Sequence, residues 1–171
     1  MEFFDVVEKR RSIRLFEERA VEPDLIDRLL NAVRLSPTAG NLQAYKVYLI
    51  DAPEMIRALA EAAYGQECVS GAPLVLVFCA DAQRSAAKYG ERGASLYSVQ
   101  DTTITATVAH FAAVALGLGS VLVGAFRESE AARIIGVPET LRPLLMLPLG
   151  YPAESAPASG RRALDDLVIR L

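Results

Sequence analysis

Residues 102–126 read TTITATVAHFAAVALGLGSVLVGAF, and no charged side chain interrupts them. By length alone such a run could cross a bilayer. Its composition argues otherwise: Thr102, Thr103, Thr105, Thr107 and His110 are polar, and Gly117-Leu118-Gly119-Ser120 breaks the run in two. It reads as a core helix from about Ser98 to Leu116, capped by Gly117, that runs into a buried strand from Val121 to Phe126.

Working outward, Leu74 to Cys79 is a continuous apolar strand, expected to be covered on both faces. Val47 to Ile50 and Leu144 to Leu149 read as further strands, and Leu167 to Arg170 as a last one. Helices are expected from Phe3 to near Arg10, from Pro23 through Val33, from Pro53 through Ala63, and from Glu130 to Ile135, where Gly136 stops the last. Pro23 and Pro53 fit a first helical position, where a missing N–H costs nothing. Ser36 to Asn41, Tyr89 to Gly93 and Ala153 to Gly160 read as loops. Strands and helices alternate, but irregularly. The fold class expected is α+β, a mixed central sheet flanked by helices, with residues 1–171 as one domain.

The chain carries 18 Lys and Arg against 21 Asp and Glu, a net charge of −3. With a pI near 5.3, that balance argues against nucleic acid as partner, although Lys9-Arg10-Arg11 is locally basic. The two cysteines, Cys68 and Cys79, have neither metal nor redox spacing and no disulfide framework, which fits a reduced, cytoplasmic setting. Met1-Glu2-Phe3-Phe4-Asp5 has no apolar leader pattern, so neither export nor membrane association is expected.

Three pieces of sequence carry chemistry. In an extended Arg10-Arg11-Ser12-Ile13-Arg14, residues 10, 12 and 14 share one side, opposite Arg11 and Ile13. Two guanidinium groups and a hydroxyl suit a terminal phosphate, and a solvated basic face would use the same residues. Ser36-Pro37-Thr38-Ala39-Gly40-Asn41-Leu42-Gln43 is either a helix-terminating turn or a polar binding loop. Gly117-Leu-Gly-Ser-Val-Leu-Val-Gly-Ala-Phe126 is no dinucleotide fingerprint, because a helix precedes it and Leu122 stands at the third glycine position. Gly124, after the strand, would let a ligand approach the backbone closely.

Together with Leu147-Pro-Leu-Gly-Tyr-Pro152, these motifs resemble the nitroreductase family, in order and over nearly the whole chain. The resemblance implies a dimeric α+β flavoprotein with FMN held between subunits and NADH or NADPH as co-substrate. Arg10, Ser12 and Arg14, with Arg11 beside them and Arg161, would hold the phosphate and ribityl chain. Pro37, Thr38 and Asn41 would reach the partner subunit's flavin, with Gln43 supporting the loop; Asn and Gln offer the donor and acceptor that an isoalloxazine edge requires. Val123, Gly124 and Ala125 would line the ring near N5. The implied reaction is ping-pong hydride transfer to nitroaromatic, quinone or similar small acceptors, with the flavin rather than a side chain as catalyst. Flavin storage, reductive dehalogenation or substrate dehydrogenation on the same fold are the alternatives.

This sequence departs from the family pattern in places. Ser159 stands where larger members have lysine, and the helical excursion that covers their flavin is absent. Tyr89 and Arg92 are the substrate-side candidates. Gln100 and Asp101 fit the start of the central helix, where a carboxylate suits the macrodipole. His110, one helical turn from Thr107 and Val114, reads as packed or interfacial rather than as a proton donor. No metal site is expected.

Overall fold

The two-faced burial expected of Leu74 to Cys79 organises the structure, a computed structural model that describes residues 2–171. Along the chain run α1 (Phe3–Lys9), α2 (Pro23–Arg34), β1 (Tyr45–Ile50), α3 (Pro53–Ala62), α4 (Glu67–Ser70) and β2 (Leu74–Asp81). Then follow α5 (Ala82–Arg92), α6 (Ser98–Ala115), β3 (Gly119–Ser120), α7 (Glu128–Ile135) and β4 (Leu141–Gly150). The strands lie in the order β1-β2-β4-β3, each antiparallel to its neighbours. Among the described residues, the one parallel component is an isolated bridge between Ser12 and Ser120.

Alternation along β2 divides the core. Val75, Val77 and Cys79 pack with Ile56, Leu59, Val69, Val123 and Met146, beneath α3, α4 and α7. Leu74, Leu76 and Phe78 pack with Leu29, Val33, Leu147 and Leu149, beneath α2 and α6. Each such side chain withdrawn from water contributes about 1.5–3 kcal/mol. On α6, Ala106, Ala109 and Ala113 face the sheet and are fully buried, so the helix lies close against it. Buried Thr102 and Thr105 donate to the carbonyls of Ser98 and Asp101, which disposes of their hydroxyls. The helix ends as expected at Gly117, whose φ of 80° permits the Leu118 N–H to reach the Ala113 carbonyl at 2.8 Å.

Three expectations need correction. The strand expected from Val121 to Phe126 does not form; the paired strand is Gly119–Ser120 just before it, and only Val123 rejoins β4, opposite Met146. The register is kept: Val121 N–H donates to the Pro148 carbonyl, but proline has no N–H to return, and the ladder lapses there. The expected loop at Tyr89 to Gly93 is largely helix. Asp81 caps α5 by accepting from Arg84 N–H at 2.9 Å, and α5 passes through a break at Gly90 and a wide π turn, Gly93–Tyr97, into α6. The last strand, Leu167 to Arg170, does not form; a 3-10 turn at Leu164–Asp166 ends in an exposed tail. Within the protomer the edge of β3 is already taken, since Ile13 N–H donates to the Ser120 carbonyl at 3.0 Å. Among the described residues, no helix is long and apolar enough to cross a membrane.

Candidate functional site

Where α1 ends and the chain turns along β3, Arg10, Arg11, Ser12 and Arg14 line a cavity of about 210 Å³ with Ser159 and Arg161. Arg11 belongs to it despite the alternation that sets it opposite Arg10. The extended pairing starts only at Ser12, so side-chain parity does not yet apply at the helix end. Among the described residues the ion pairs are Arg19–Glu22, Arg127–Glu130 and Arg142–Glu128, so none of these four arginines has a carboxylate partner. Arg11 donates to the Glu8 and Arg10 carbonyls, Arg14 to Ser12, and Arg161 to Ser159 and Gly160. The nearby acid, Glu154, is occupied by the backbone N–H groups of Arg14 and Leu15. Four guanidinium groups without an ion-pair partner among the described residues make a site for an anion.

Behind this cavity lies a polar connection that the sequence does not reveal. An Arg10 guanidinium N–H meets His110 Nε2 at 3.2 Å, and His110 Nδ1 lies 2.6 Å from Ser120 Oγ. His110 is 3% exposed and Ser120 fully buried. Burial first, and then the Arg10 charge, push the imidazole down to about 4, so the ring is neutral at physiological pH. Arginine can only donate, so Nε2 accepts and the proton sits on Nδ1, which donates to Ser120.

Gly124 and Ala125 follow Val123 onto the surface. Gln66, at the start of α4, holds the Ala125 carbonyl at 2.9 Å. Among the described residues, neither the Gly124 nor the Ala125 N–H has a protein acceptor. Gln66 and Arg14 together line a neighbouring cavity of about 270 Å³. Gln66 was not a candidate from sequence, because a glutamine ahead of a one-turn helix carries no signal of its own.

The loop from Ser36 to Gln43 is held in an uncommon conformation. Gly40, Asn41 and Gln43 have φ of 57°, 56° and 47°. Such left-handed backbone is costly for a residue like Gln43, and persists where surroundings impose it. Gln43 supports the loop, its side chain donating to the Asn41 carbonyl and Oδ1 at 2.7 and 2.8 Å and its N–H to Thr38 Oγ1 at 3.1 Å. Asp101, 2% exposed, accepts from the Ala39 N–H at 2.8 Å, while its Oδ2 has no partner. Asp101 therefore tethers the loop instead of capping a free helix end, since the π turn feeds directly into α6. Pro37 and Thr38 line an apolar groove of about 650 Å³ with Tyr97, Asp101 and Ile104, separate from the arginine cavity.

Tyr89 and Arg92 lie at the end of α5 beside this loop. The Tyr89 ring abuts Gly40, and it packs edge-on against Tyr97 with centroids 5.2 Å apart. Arg92 Nε donates to the Tyr97 hydroxyl at 3.0 Å. The remaining titratable candidates are inert: burial pushes the Cys79 thiol up to about 12 and raises that of Cys68. Among the described residues no three His, Cys, Asp or Glu side chains are placed to hold a metal.

The sequence model of the nitroreductase family matches residues 7–68 and 62–151 of this chain. The chain belongs to the nitroreductase family. Within reach of the family are an NADH dehydrogenase of Thermus thermophilus, 30% identical over 188 positions that take in 94% of this chain and 92% of that protein. An FMN reductase (NAD(P)H) of Bacillus subtilis is 30% identical over 157 positions, 84% of this chain and 63% of the relative. Among solved structures, that of NfrA2 from B. megaterium superimposes with a TM-score of 0.91 at 26% identity, covering 99% of this chain and 74% of that one. The nitroreductase match takes in Arg10 to Arg14, the Ser36–Gln43 loop and the Gly124 turn, and stops short of Arg161.

Proposed function

We propose that this chain is an FMN-dependent oxidoreductase that uses NADH or NADPH to reduce nitroaromatic, quinone or similar small acceptors. The proposal includes a homodimer with the flavin between two copies, and residues 1–171 acting as one cofactor-binding unit. The observation that carries it is the cavity in which Arg10, Arg11, Arg14 and Arg161 meet Ser12, none of the four forming an ion pair among the described residues. That donor set fits a phosphate monoester, which accepts bidentate guanidinium bonds on several oxygens. The names of relatives, NADH dehydrogenase and FMN reductase (NAD(P)H) among them, agree with this reading.

Bound FMN supplies a centre that takes hydride from the nicotinamide and passes electrons on to the acceptor, in ping-pong order. Arg10, Ser12, Arg14 and Arg161 hold the phosphate end, with Arg11 adding charge. The free N–H groups of Gly124 and Ala125, in the turn held by Gln66, meet the ring, and buried Val123 backs them. Pro37 and Thr38 line a different groove from the arginines, and with Asn41 of the same loop they serve the flavin of the partner subunit. Tyr89 and Arg92, beside that loop, face the substrate. Phe3 and Phe4 on α1, and Leu167, Ile169 and Leu171 in the tail, are exposed apolar side chains that a second copy would cover. Two buried, unpaired cysteines are in keeping with a reducing, cytoplasmic setting.

The test is the visible spectrum of the purified protein supplemented with FMN, before and after anaerobic addition of NADH or NADPH. A flavin band near one per protomer, bleached by either nucleotide, is the expected result. A retained band that neither nucleotide bleaches would favour flavin storage or a specialised reductant. Failure to bind FMN would remove the reading altogether.

A further inference from the structure

The proposed phosphate site depends on where one long side chain points. Among the described residues, the hydrogen-bond partner of the Arg10 guanidinium is His110 Nε2. His110 belongs to α6, on the far side of a hundred residues of chain, and its ring is fixed by Ser120 Oγ. Ser120 is itself part of β3, and its carbonyl receives the N–H of Ile13, next to Ser12. Arg10, Ser12, His110 and Ser120 thus form a closed circuit through α1, the extended segment, α6 and β3. Each linkage has one direction of donation: Arg10 to Nε2, and Nδ1–H to Ser120.

We propose that His110 is a positioning residue of the cofactor site, which holds the Arg10 guanidinium in the orientation that receives the phosphate. An unrestrained arginine loses considerable rotamer freedom when it clasps an anion; one already fixed by His110 loses less. The imidazole can do this while uncharged, so it adds no repulsion to a cluster of four arginines. It does not line the proposed phosphate cavity, and its effect reaches the ligand only through Arg10. This inference rests on the phosphate reading of the arginine cavity.

The two ring nitrogens can be replaced separately. In His110→Gln the terminal amide reaches the position of Nε2 and keeps an acceptor for Arg10. In His110→Asn the amide stops at the level of Nδ1, so contact with Ser120 can persist while Arg10 is released. Dissociation constants of FMN and of riboflavin, which lacks the phosphate, are measured for the full-length apoprotein by quenching of flavin fluorescence. His110→Asn is expected to weaken FMN binding about 3- to 10-fold, the value of one hydrogen bond, and to leave riboflavin unchanged. His110→Gln should stay within about twofold of wild type for both ligands, since it preserves that single bond. In an Arg10→Ala background His110→Asn should have no further effect on FMN.

Equal losses for FMN and riboflavin, or an undiminished cost in the Arg10→Ala background, would overturn the proposal, because a merely structural histidine behaves that way. Wild-type protein that binds FMN no better than riboflavin would instead overturn the phosphate reading, and this inference with it. Should His110→Asn not fold, His110→Met, which also removes the acceptor for Arg10, takes its place: a selective loss for FMN supports the proposal, and parallel losses refute it.

Discussion

Acidification should destabilise this protein through His110. The ring titrates at about 6.5 in an unfolded chain and at about 4 in the folded one, lowered by burial and then by Arg10. A group whose folded value is depressed contributes stability that is present above the unfolded value and lost as pH falls through the folded one. The two values lie about 2.5 units apart, which corresponds to about 3 kcal/mol at full effect. About 2 kcal/mol of this should disappear between pH 7 and pH 5, while most His110 in the native state is still neutral. Carboxylates titrate over part of the same range, so the informative quantity is a difference. Urea unfolding of apoprotein is measured from pH 7 to pH 4.5 for wild type and His110→Gln, whose amide does not ionise. The charged group facing the ring is Arg10; Ser120 is neutral, and α6 carries no charge beyond Asp101. Wild type should lose about 2 kcal/mol more than the variant by pH 5. Parallel curves would refute the reasoning, since they would mean that the ring binds its proton equally well folded and unfolded.

Other outcomes follow from the same geometry. Arg14→Ala, which removes one of the four unpaired guanidinium groups, should weaken FMN binding by about tenfold or more and flatten its salt dependence, as seen by titration at two ionic strengths. Asp101→Ala deprives the Ala39 N–H of its acceptor and should cost about 1–3 kcal/mol in urea unfolding, whereas Asp101→Asn keeps Oδ1 and should cost far less. Gly117→Ala forces a side chain into left-handed backbone at the end of α6 and should lower stability by about 1–2 kcal/mol without altering flavin affinity.

The sequence exposes those parts of the molecule whose signal is local. Pro23 and Pro53 stand at helix starts because neither needs a donor there. Leu74 to Phe78 declare a doubly covered strand because both parities are apolar. Arg10, Ser12 and Arg14 do line one cavity, although Arg11 joins them where the helix end suspends alternation. What is hidden is what depends on a partner element. Helix α5 buries Ser85 alone, so its sequence shows no apolar face, and Tyr89 reads as loop. The lapse at Val121 is caused by Pro148 on another strand. The tethering of Ala39 by Asp101 and the hold of His110 on Arg10 join residues 62 and 100 positions apart, and neither leaves a pattern in the intervening chain.

Because Ser12 and Ile13 occupy the outer side of β3, the sheet has two unequal margins. Among the described residues, β1 pairs with β2 alone, and its other side stays open. Two copies related by a two-fold axis could each offer that same margin, and the pairing would use up both. A head-to-tail stack requires a second free margin on every copy, and β3 has none to give. Among the described residues β1 is thus the margin left for strand addition, and a two-fold pairing there would leave β3 covered by its own chain in both copies.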